Sequence, residues 1–121
     1  CIRRGGELAG GAGAVVINGS VDGLAPLADA QGTYAVIADA PKALVTLTGA
    51  NHYGLCDTDN PSGAQADSAA PTLDQATAVQ TAARWSALFL RAHVLGDAAV
   101  HQYVHQTGDA LEPHVTVESN P

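Results

Sequence analysis

Residues 14–26 read AVVINGSVDGLAP, and residues 42–57 read KALVTLTGANHYGLCD. Each stretch opens with a short run of apolar, β-prone residues and continues into a turn rich in small and polar residues. Short apolar runs that end in such turns are typical of strands buried on both faces of a parallel sheet. The sequence therefore predicts two buried strands, at residues 14–17 and 43–47.

The segment between these strands has the composition of a crossover helix. Residues 27–40 are rich in Ala, and we expect a helix that is interrupted near Gly32 and stops before Pro41, because the residue before a proline disfavours helical geometry. A strand, a crossover and a second strand within about 30 residues imply parallel pairing. The predicted fold class is α/β, with a parallel sheet covered by helices.

A long helix is predicted after a polar loop at residues 56–71. Thr72 and Gln75 have the spacing of a capping box at its start, and Gly96 is suited to end it. An apolar stripe at helical spacing predicts the face that packs on the sheet. The stripe consists of Val79, Ala83, Ala87, Leu90 and Val94. Trp85 and Phe89 are four residues apart and are expected to pack in the core.

The sequence of residues 97–118 predicts a short helix followed by a short strand. Asp97 is suited to cap a helix that reaches about Thr107 and is ended by Gly108. The run at residues 114–118 predicts a final strand.

Composition restricts the classes of partner. The chain has 121 residues, enough for one small domain, and a net charge of −7 from twelve acidic residues against five Lys plus Arg. Binding to nucleic acid or to an anionic membrane surface requires a basic patch, which this composition does not supply. No run of 18 apolar residues predicts a membrane span. A neutral or apolar substrate fits this charge best, and no cofactor is predicted.

The two cysteines, Cys1 and Cys56, fit no C-x-x-C metal or redox pattern. Three arrangements are compatible with their spacing: a Cys1–Cys56 disulfide in an exported protein, two separate thiols, or a thiol that pairs with another segment. A lipid anchor on Cys1 is a further but less favoured alternative.

Two residues that carry chemistry follow the two predicted strands. Asp22 lies in the turn after the first strand, and His52 lies in the loop after the second, 30 positions later. Taken alone, an Asp in such a turn is usually a turn former and a loop His is usually solvated. Because the carboxyl ends of adjacent parallel strands meet at one edge of a sheet, both side chains are expected at that edge. A carboxylate there can fix the tautomer of an imidazole and stabilise its protonated form.

These segments resemble the serine α/β-hydrolases. VVINGSVDGLAP is similar to their acid-bearing turn, LVTLTGANHYGLCD to their histidine loop, and ARWSALFLRAHVLGDAAVHQYV to the final helix of bacterial esterases, dienelactone-hydrolase-like proteins and polyester-hydrolase relatives. The resemblance covers about residues 14–104. It implies a carboxylic ester hydrolase in which Asp22 is the acid of the catalytic triad and His52 the general base. It also implies a secreted or periplasmic bacterial enzyme.

The sequence departs from that family at the nucleophile. No G-x-S-x-G elbow occurs: the neighbours of Ser20 and Ser62 do not fit it, and Ser86 falls within the predicted long helix. We therefore expect residues 1–121 to be the C-terminal portion of a single α/β-hydrolase domain and to be inactive alone. The expected partner is an N-terminal segment or chain that carries the serine, and the expected substrate is a small-molecule or polymeric ester.

The alternative is a non-catalytic domain that keeps hydrolase-like strands for packing or for partner binding, with an exposed apolar sheet edge as its binding surface.

Two other groups of polar residues contain potential metal ligands. Asp97, His101 and His105 recur every four residues, so a metal could bridge the two histidines, but a solvated helix face is the preferred interpretation. The loop acids offer oxygen ligands for Ca²⁺, but Pro61 stands where an EF-hand would place a ligand. These acids and their neighbour are Asp57, Asp59, Asn60 and Asp67. No metal is predicted at either place.

Overall fold

The computed structural model describes residues 13–121, which form a three-stranded sheet with helices on both of its faces. The strands are β1 (Ala14–Gly19), β2 (Lys42–Leu47) and β3 (Val115–Asn120). The α-helices are α1 (Leu27–Val36), α2 (Gln75–Val94), α3 (Ala98–Gln102) and α4 (Gly108–Leu111). A short 3₁₀ helix spans His52–Leu55, and a π-helical turn spans Tyr103–Thr107 between α3 and α4.

The strand order is β1-β2-β3, with β2 in the centre. β1 pairs with β2 in parallel, from Ala14 opposite Lys42 to Gly19 opposite Leu47. This confirms the two predicted strands and the crossover, and with them an α/β fold. β3 confirms the final predicted strand, but it pairs antiparallel to β2, so the sheet is mixed and the expectation of a wholly parallel sheet is wrong. Its side chains alternate between more and less buried positions, which is typical of an antiparallel edge strand.

The crossover helix is continuous through Gly32 and ends at Val36, four residues before the predicted limit. The following residue, Ile37, is already extended. A glycine inside a helix costs about 1 kcal/mol relative to alanine. That cost is small beside the burial of Ala30 and Tyr34 on the face that packs against the sheet, and so it does not interrupt the helix.

Residues of β2 supply both hydrophobic cores by pointing alternately to the two faces of the sheet. Ala43, Val45 and Leu47 belong to the larger core, which is shared with α2 and β3. Leu44 belongs to the smaller core, which is shared with α1. The sheet is therefore a central layer, with α1 on one face and α2 on the other.

The buried face of α2 differs from the predicted stripe. Ala78, Thr81, Trp85, Phe89 and Ala92 are buried. Of the predicted stripe, Val79 is half-buried and the other members are exposed. The spacing of both sets suits a helix face, but the two aromatic rings bury far more apolar area than Ala or Val. The prediction that Trp85 and Phe89 pack in the core is confirmed, at 0% and 3% exposure.

The ends of α2 are set by Asp74 and Gly96. The Asp74 carboxylate accepts a hydrogen bond from the Thr77 N–H at 2.9 Å, so Asp74 is the N-cap and the predicted Thr72–Gln75 capping box is wrong. An aspartate beside the first helical residue competes directly with the box for the free backbone N–H groups. Gly96 has a positive φ of 67° and follows the last turn, which confirms the predicted stop.

Asp97 caps α3 as predicted, by accepting from the Val100 N–H at 3.1 Å. The chain then passes through the π-helical turn, and Gly108 begins α4 instead of ending the helix. A Cβ on Gly108 would lie 2.6 Å from Tyr103 Cε1 and 2.7 Å from Trp85 Cη2. Gly108 is therefore required for close packing, which sequence alone does not distinguish from a helix stop.

Within residues 13–121, part of the apolar surface beside β1 is left open. β1 is hydrogen-bonded to β2 on one side and lies at an edge of the sheet that these residues form. A groove of about 380 Å³ runs between β1 and α2, with Val15, Ile17, Val79 and Ala83 among its lining residues. Within residues 13–121, no helix has both the length and the hydropathy required to cross a bilayer.

Two glycine-to-alanine substitutions provide a matched test of this packing. We expect Gly32→Ala to raise the free energy of unfolding by about 0.5–1 kcal/mol, because a Cβ there meets nothing within 4 Å. We expect Gly108→Ala to lower it by about 1–3 kcal/mol, because two packed aromatic rings must move. Urea unfolding of both variants checks the two signs, and stabilisation by Gly108→Ala would contradict the packing described at α4.

Candidate active site

The turn after β1 fixes the carboxylate of Asp22. Asp22 Oδ1 accepts hydrogen bonds from the backbone N–H groups of Leu24 at 2.9 Å and Ala25 at 2.6 Å. Asn18 Nδ2 donates to the Ala25 carbonyl at 3.1 Å and closes the same turn. The side chain of Asp22 is only 3% exposed. Its position is therefore set by the backbone of its own loop.

The loop after β2 is fixed by Asn51, which is fully buried. Asn51 Oδ1 accepts from the Tyr53 N–H at 3.1 Å and so caps the short 3₁₀ helix that begins at His52. Asn51 Nδ2 donates to Asp59 Oδ1 at 3.0 Å and to the Ala69 carbonyl at 3.3 Å. The Tyr53 ring packs edge-to-face on the His52 ring, with centroids 5.2 Å apart. These contacts restrict where the imidazole lies.

The two loops are adjacent because they leave neighbouring parallel strands at the same end. The Val21 N–H donates to the Ala50 carbonyl at 3.1 Å, and the Gly49 N–H donates to Ser20 Oγ at 2.8 Å. A Cβ on Gly19 would lie 2.2 Å from the Ala50 carbonyl oxygen. Only glycine at position 19 permits this approach of the two backbones.

His52 and Asp22 are hydrogen-bonded to each other, which confirms the predicted contact. His52 Nδ1 lies 3.1 Å from Asp22 Oδ1 and 3.0 Å from Oδ2. A carboxylate can only accept, so a neutral ring must carry its proton on Nδ1 and leave a lone pair on Nε2. The His52 side chain is 39% exposed, so the imidazole is accessible from outside. A histidine in this state is equipped to take a proton through Nε2.

Asp67 is a second buried carboxylate at this site. Asp67 Oδ2 accepts from the backbone N–H groups of His52 at 2.9 Å and Gly23 at 3.2 Å. Its other oxygen, Oδ1, accepts from the Ala69 N–H at 2.8 Å. The hydrogen bond from the His52 N–H is the main cause that lowers the pKa of Asp67 below its ordinary value of 3.8. One buried side chain therefore joins the acid loop to the histidine loop.

Sequence reasoning grouped Asp67 with the loop acids and did not assign it this function. Nothing in the sequence distinguishes Asp67 from Asp57, an exposed aspartate of the same loop, because hydrogen bonds to a folded loop leave no periodic signal.

Oxygens of Asp59, Asn60 and Asp67 are engaged in hydrogen bonds within the protein. Asp59 Oδ1 accepts from the side-chain amides of Asn51 and Asn60. Asn60 Oδ1 accepts from the Asp67 N–H at 2.6 Å. These oxygens satisfy donors of the protein itself, and within the described residues no group of these acids converges on one point.

Among the described residues, no serine hydroxyl is hydrogen-bonded to His52. Ser20 accepts from Gly49, and Ser86 Oγ donates to the Ala82 carbonyl inside α2. The absence of a G-x-S-x-G motif holds for the whole sequence. Cys56 is exposed, whereas Cys1 and any disulfide that it forms lie outside the described residues.

No family model, no curated protein and no solved structure matches this chain.

Replacing Asp67 tests its function as a bridge between the loops. We expect Asp67→Asn to lower the free energy of unfolding by about 1–3 kcal/mol, because an amide nitrogen would face a backbone N–H donor. Asp57→Asn is the matched control in the same loop; Asp57 is exposed, and its substitution should change stability by less than about 0.5 kcal/mol.

The pH dependence of this difference has a defined sign. The folded-state pKa of Asp67 is lowered, so its stabilisation is fully present above the ordinary value of 3.8 and is lost as the pH falls through the folded-state pKa. Urea titrations should therefore show that the gap between the wild type and Asp67→Asn narrows below about pH 4. Equal stability of the wild type and Asp67→Asn at neutral pH would contradict the function of Asp67 as a bridge between the loops.

Proposed function

We propose that this chain supplies the acid and the general base of a serine-dependent carboxylic ester hydrolase with an α/β-hydrolase fold. The observation that carries the proposal is the contact between Asp22 and His52 Nδ1 at 3.0 and 3.1 Å. Both residues follow adjacent parallel strands, which is where an open α/β sheet gathers its functional side chains. The resemblance of the two loops to those of α/β-hydrolases agrees with this placement.

Each residue has a defined task in acyl transfer. His52 Nε2 removes the proton of a serine hydroxyl as its oxygen attacks the ester carbonyl, and later returns the proton to the leaving alcohol. Asp22 holds the imidazole in the required tautomer and stabilises its protonated form. Water then attacks the acyl-enzyme, with His52 Nε2 as the base once more. The serine and the oxyanion donors come from another polypeptide segment.

The surroundings of Asp22 suit that task. The carboxylate is buried, and its attraction to a protonated imidazole is less screened there than in bulk water. Two backbone N–H groups keep it in place, so little reorganisation is needed when charge develops on His52. Asp67 holds the backbone of His52 by accepting a hydrogen bond from its N–H group. An active site requires this kind of preorganisation.

The open side of the sheet is where we place the serine-bearing segment. An α/β-hydrolase sheet continues beyond the strand that precedes the acid, and among the described residues no strand pairs with β1 on that side. The apolar groove along β1 and α2 would be covered by the strands and helices of that segment. The net charge of −7 favours a neutral ester, small or polymeric, over an anionic one. Secretion or a periplasmic location belongs to the same proposal through the resemblance.

A second candidate function is that of a non-catalytic partner-binding domain. The same groove and the edge of β1 favour it, because in the described part of the chain this edge is unpaired, and an unpaired edge strand accepts an added strand from another chain. In that case the contact between Asp22 and His52 only stabilises the two loops. The two candidates differ in whether a reactive serine accompanies the chain.

Labelling of the native protein with a fluorophosphonate distinguishes the two candidates. We expect a labelled G-x-S-x-G serine in a polypeptide that is continuous with, or bound to, residues 1–121, as read by intact mass and peptide sequencing. The 121-residue chain alone should neither be labelled nor turn over p-nitrophenyl esters. Recovery of the native assembly with no reactive serine would contradict the hydrolase proposal and favour the partner-binding function.

Kinetics of the assembled enzyme test the two residues. We expect His52→Ala to lower kcat by roughly 10⁶-fold and Asp22→Asn by roughly 10⁴-fold, because the second change keeps the geometry but loses the tautomer. Asp57→Asn, an exposed change of the same kind, should leave kcat unaltered. Full activity of His52→Ala would contradict the proposal.

A further inference from the structure

Three histidines converge at the corner between α2 and α3. His93 lies near the end of α2, His101 lies on α3, and His105 lies in the π-helical turn. Their ring centroids are 4.7–5.3 Å apart, and one ligand atom from each ring lies within 4.8 Å of the other two. No sequence spacing predicts the participation of His93. Asp97, which the sequence grouped with His101 and His105, instead caps α3 and pairs with Arg91 at 2.7 Å.

The ring nitrogens of this cluster do not satisfy one another's hydrogen-bonding capacity, and they are suitable metal ligands. His93 Nε2 and His105 Nε2 are 2.8 Å apart, and His105 Nδ1 is buried with no hydrogen-bond partner among the described residues. Whichever Nε2 carries the proton, His105 Nδ1 is left unsatisfied. Burial, reinforced by the neighbouring imidazoles, lowers the pKa of His105 and of His93 and so disfavours their protonated forms. The neutral imidazole is the form that coordinates metal ions.

The backbone at this corner has an uncommon geometry. The Gly108 N–H donates to the Tyr103 carbonyl five residues earlier, which closes a π-helical turn around His105. Such turns are rare and occur frequently at functional sites. The Phe89 ring lies 4.5 Å from the His93 ring and 6.4 Å from the His105 ring, and so provides an apolar wall. An apolar wall limits the access of water to a metal site.

We propose that His93, His101 and His105 form a Zn²⁺ site, with water as the fourth ligand. Imidazole donors favour Zn²⁺ and its transition-metal neighbours over Mg²⁺ and Ca²⁺, which prefer oxygen. Zinc at about 2.0–2.1 Å from each nitrogen separates the nitrogens of a tetrahedral site by roughly 3.3 Å. The three ligand atoms lie within 4.8 Å of one another, so each pair has to close by at most about 1.5 Å when the ion binds. The ion ties the end of α2 to α3 and to the π-helical turn, and it is separate from the pair formed by Asp22 and His52.

Calorimetric titration of the untagged chain with ZnCl₂ tests the site. We expect one Zn²⁺ per chain and no comparable binding of MgCl₂ or CaCl₂. His93→Ala, His101→Ala and His105→Ala should each weaken Zn²⁺ binding by more than the roughly 10–100-fold that the loss of an outer-shell partner costs. His52→Ala and His114→Ala are the matched controls, and both should bind Zn²⁺ as the wild type does.

A second measurement reports the geometry of the site. Co²⁺ in place of Zn²⁺ should show the intense visible absorption of a tetrahedral site in the wild type and lose it in His101→Gln. His101 lies on α3, which buries no residue, so circular dichroism of this variant should match the wild type even where replacement of His93 or His105 disturbs the packing on Phe89. Unchanged Zn²⁺ affinity and Co²⁺ absorption in a folded His101→Gln, or loss of Zn²⁺ binding in His52→Ala, would overturn the proposal.

Discussion

Parallel pairing of β1 with β2 is the constraint on which the candidate active site depends. It brings the ends of both strands to one edge of the sheet, and Gly19 allows the two backbones to approach there without a side chain between them. Asp22 and His52 are then delivered to one place by loops that are 30 residues apart in sequence. The central strand has buried residues on both faces, so a slip of this register would displace both cores at once.

Buried polar groups stabilise the observed conformation of the two loops. Asp22, Asn51 and Asp67 are all buried, and each accepts hydrogen bonds from backbone N–H groups. A buried carboxylate without partners would be costly, so each satisfied contact also excludes other loop conformations. The stability of these loops and the position of the imidazole therefore have the same physical origin.

The sequence predicts those features that leave a local pattern. The apolar runs of β1 and β2 and the positions of Asp22 and His52 after them are visible because strand ends coincide with turns rich in small and polar residues. The capping function of Asp97 is visible for a similar reason.

Other features depend on three-dimensional contacts and leave no such pattern. The buried face of α2 is chosen by the volume of Trp85 and Phe89, and the glycine at 108 by the rings that pack over it. Asp67 and His93 acquire their partners only when distant segments meet. A helix with two apolar faces, or an acid among other acids, is equally compatible with several folds.

The tautomer of His52 is the most direct test of whether Asp22 orients a general base. ¹⁵N NMR of the imidazole distinguishes a proton on Nδ1 from one on Nε2. In the wild type, neutral His52 should carry its proton on Nδ1, and Asp22→Asn should shift the population toward Nε2–H because the amide group can donate to Nδ1. A wild-type ring protonated on Nε2, or a tautomer that is indifferent to Asp22→Asn, would contradict the assignment of Asp22 and His52 as an acid–base pair.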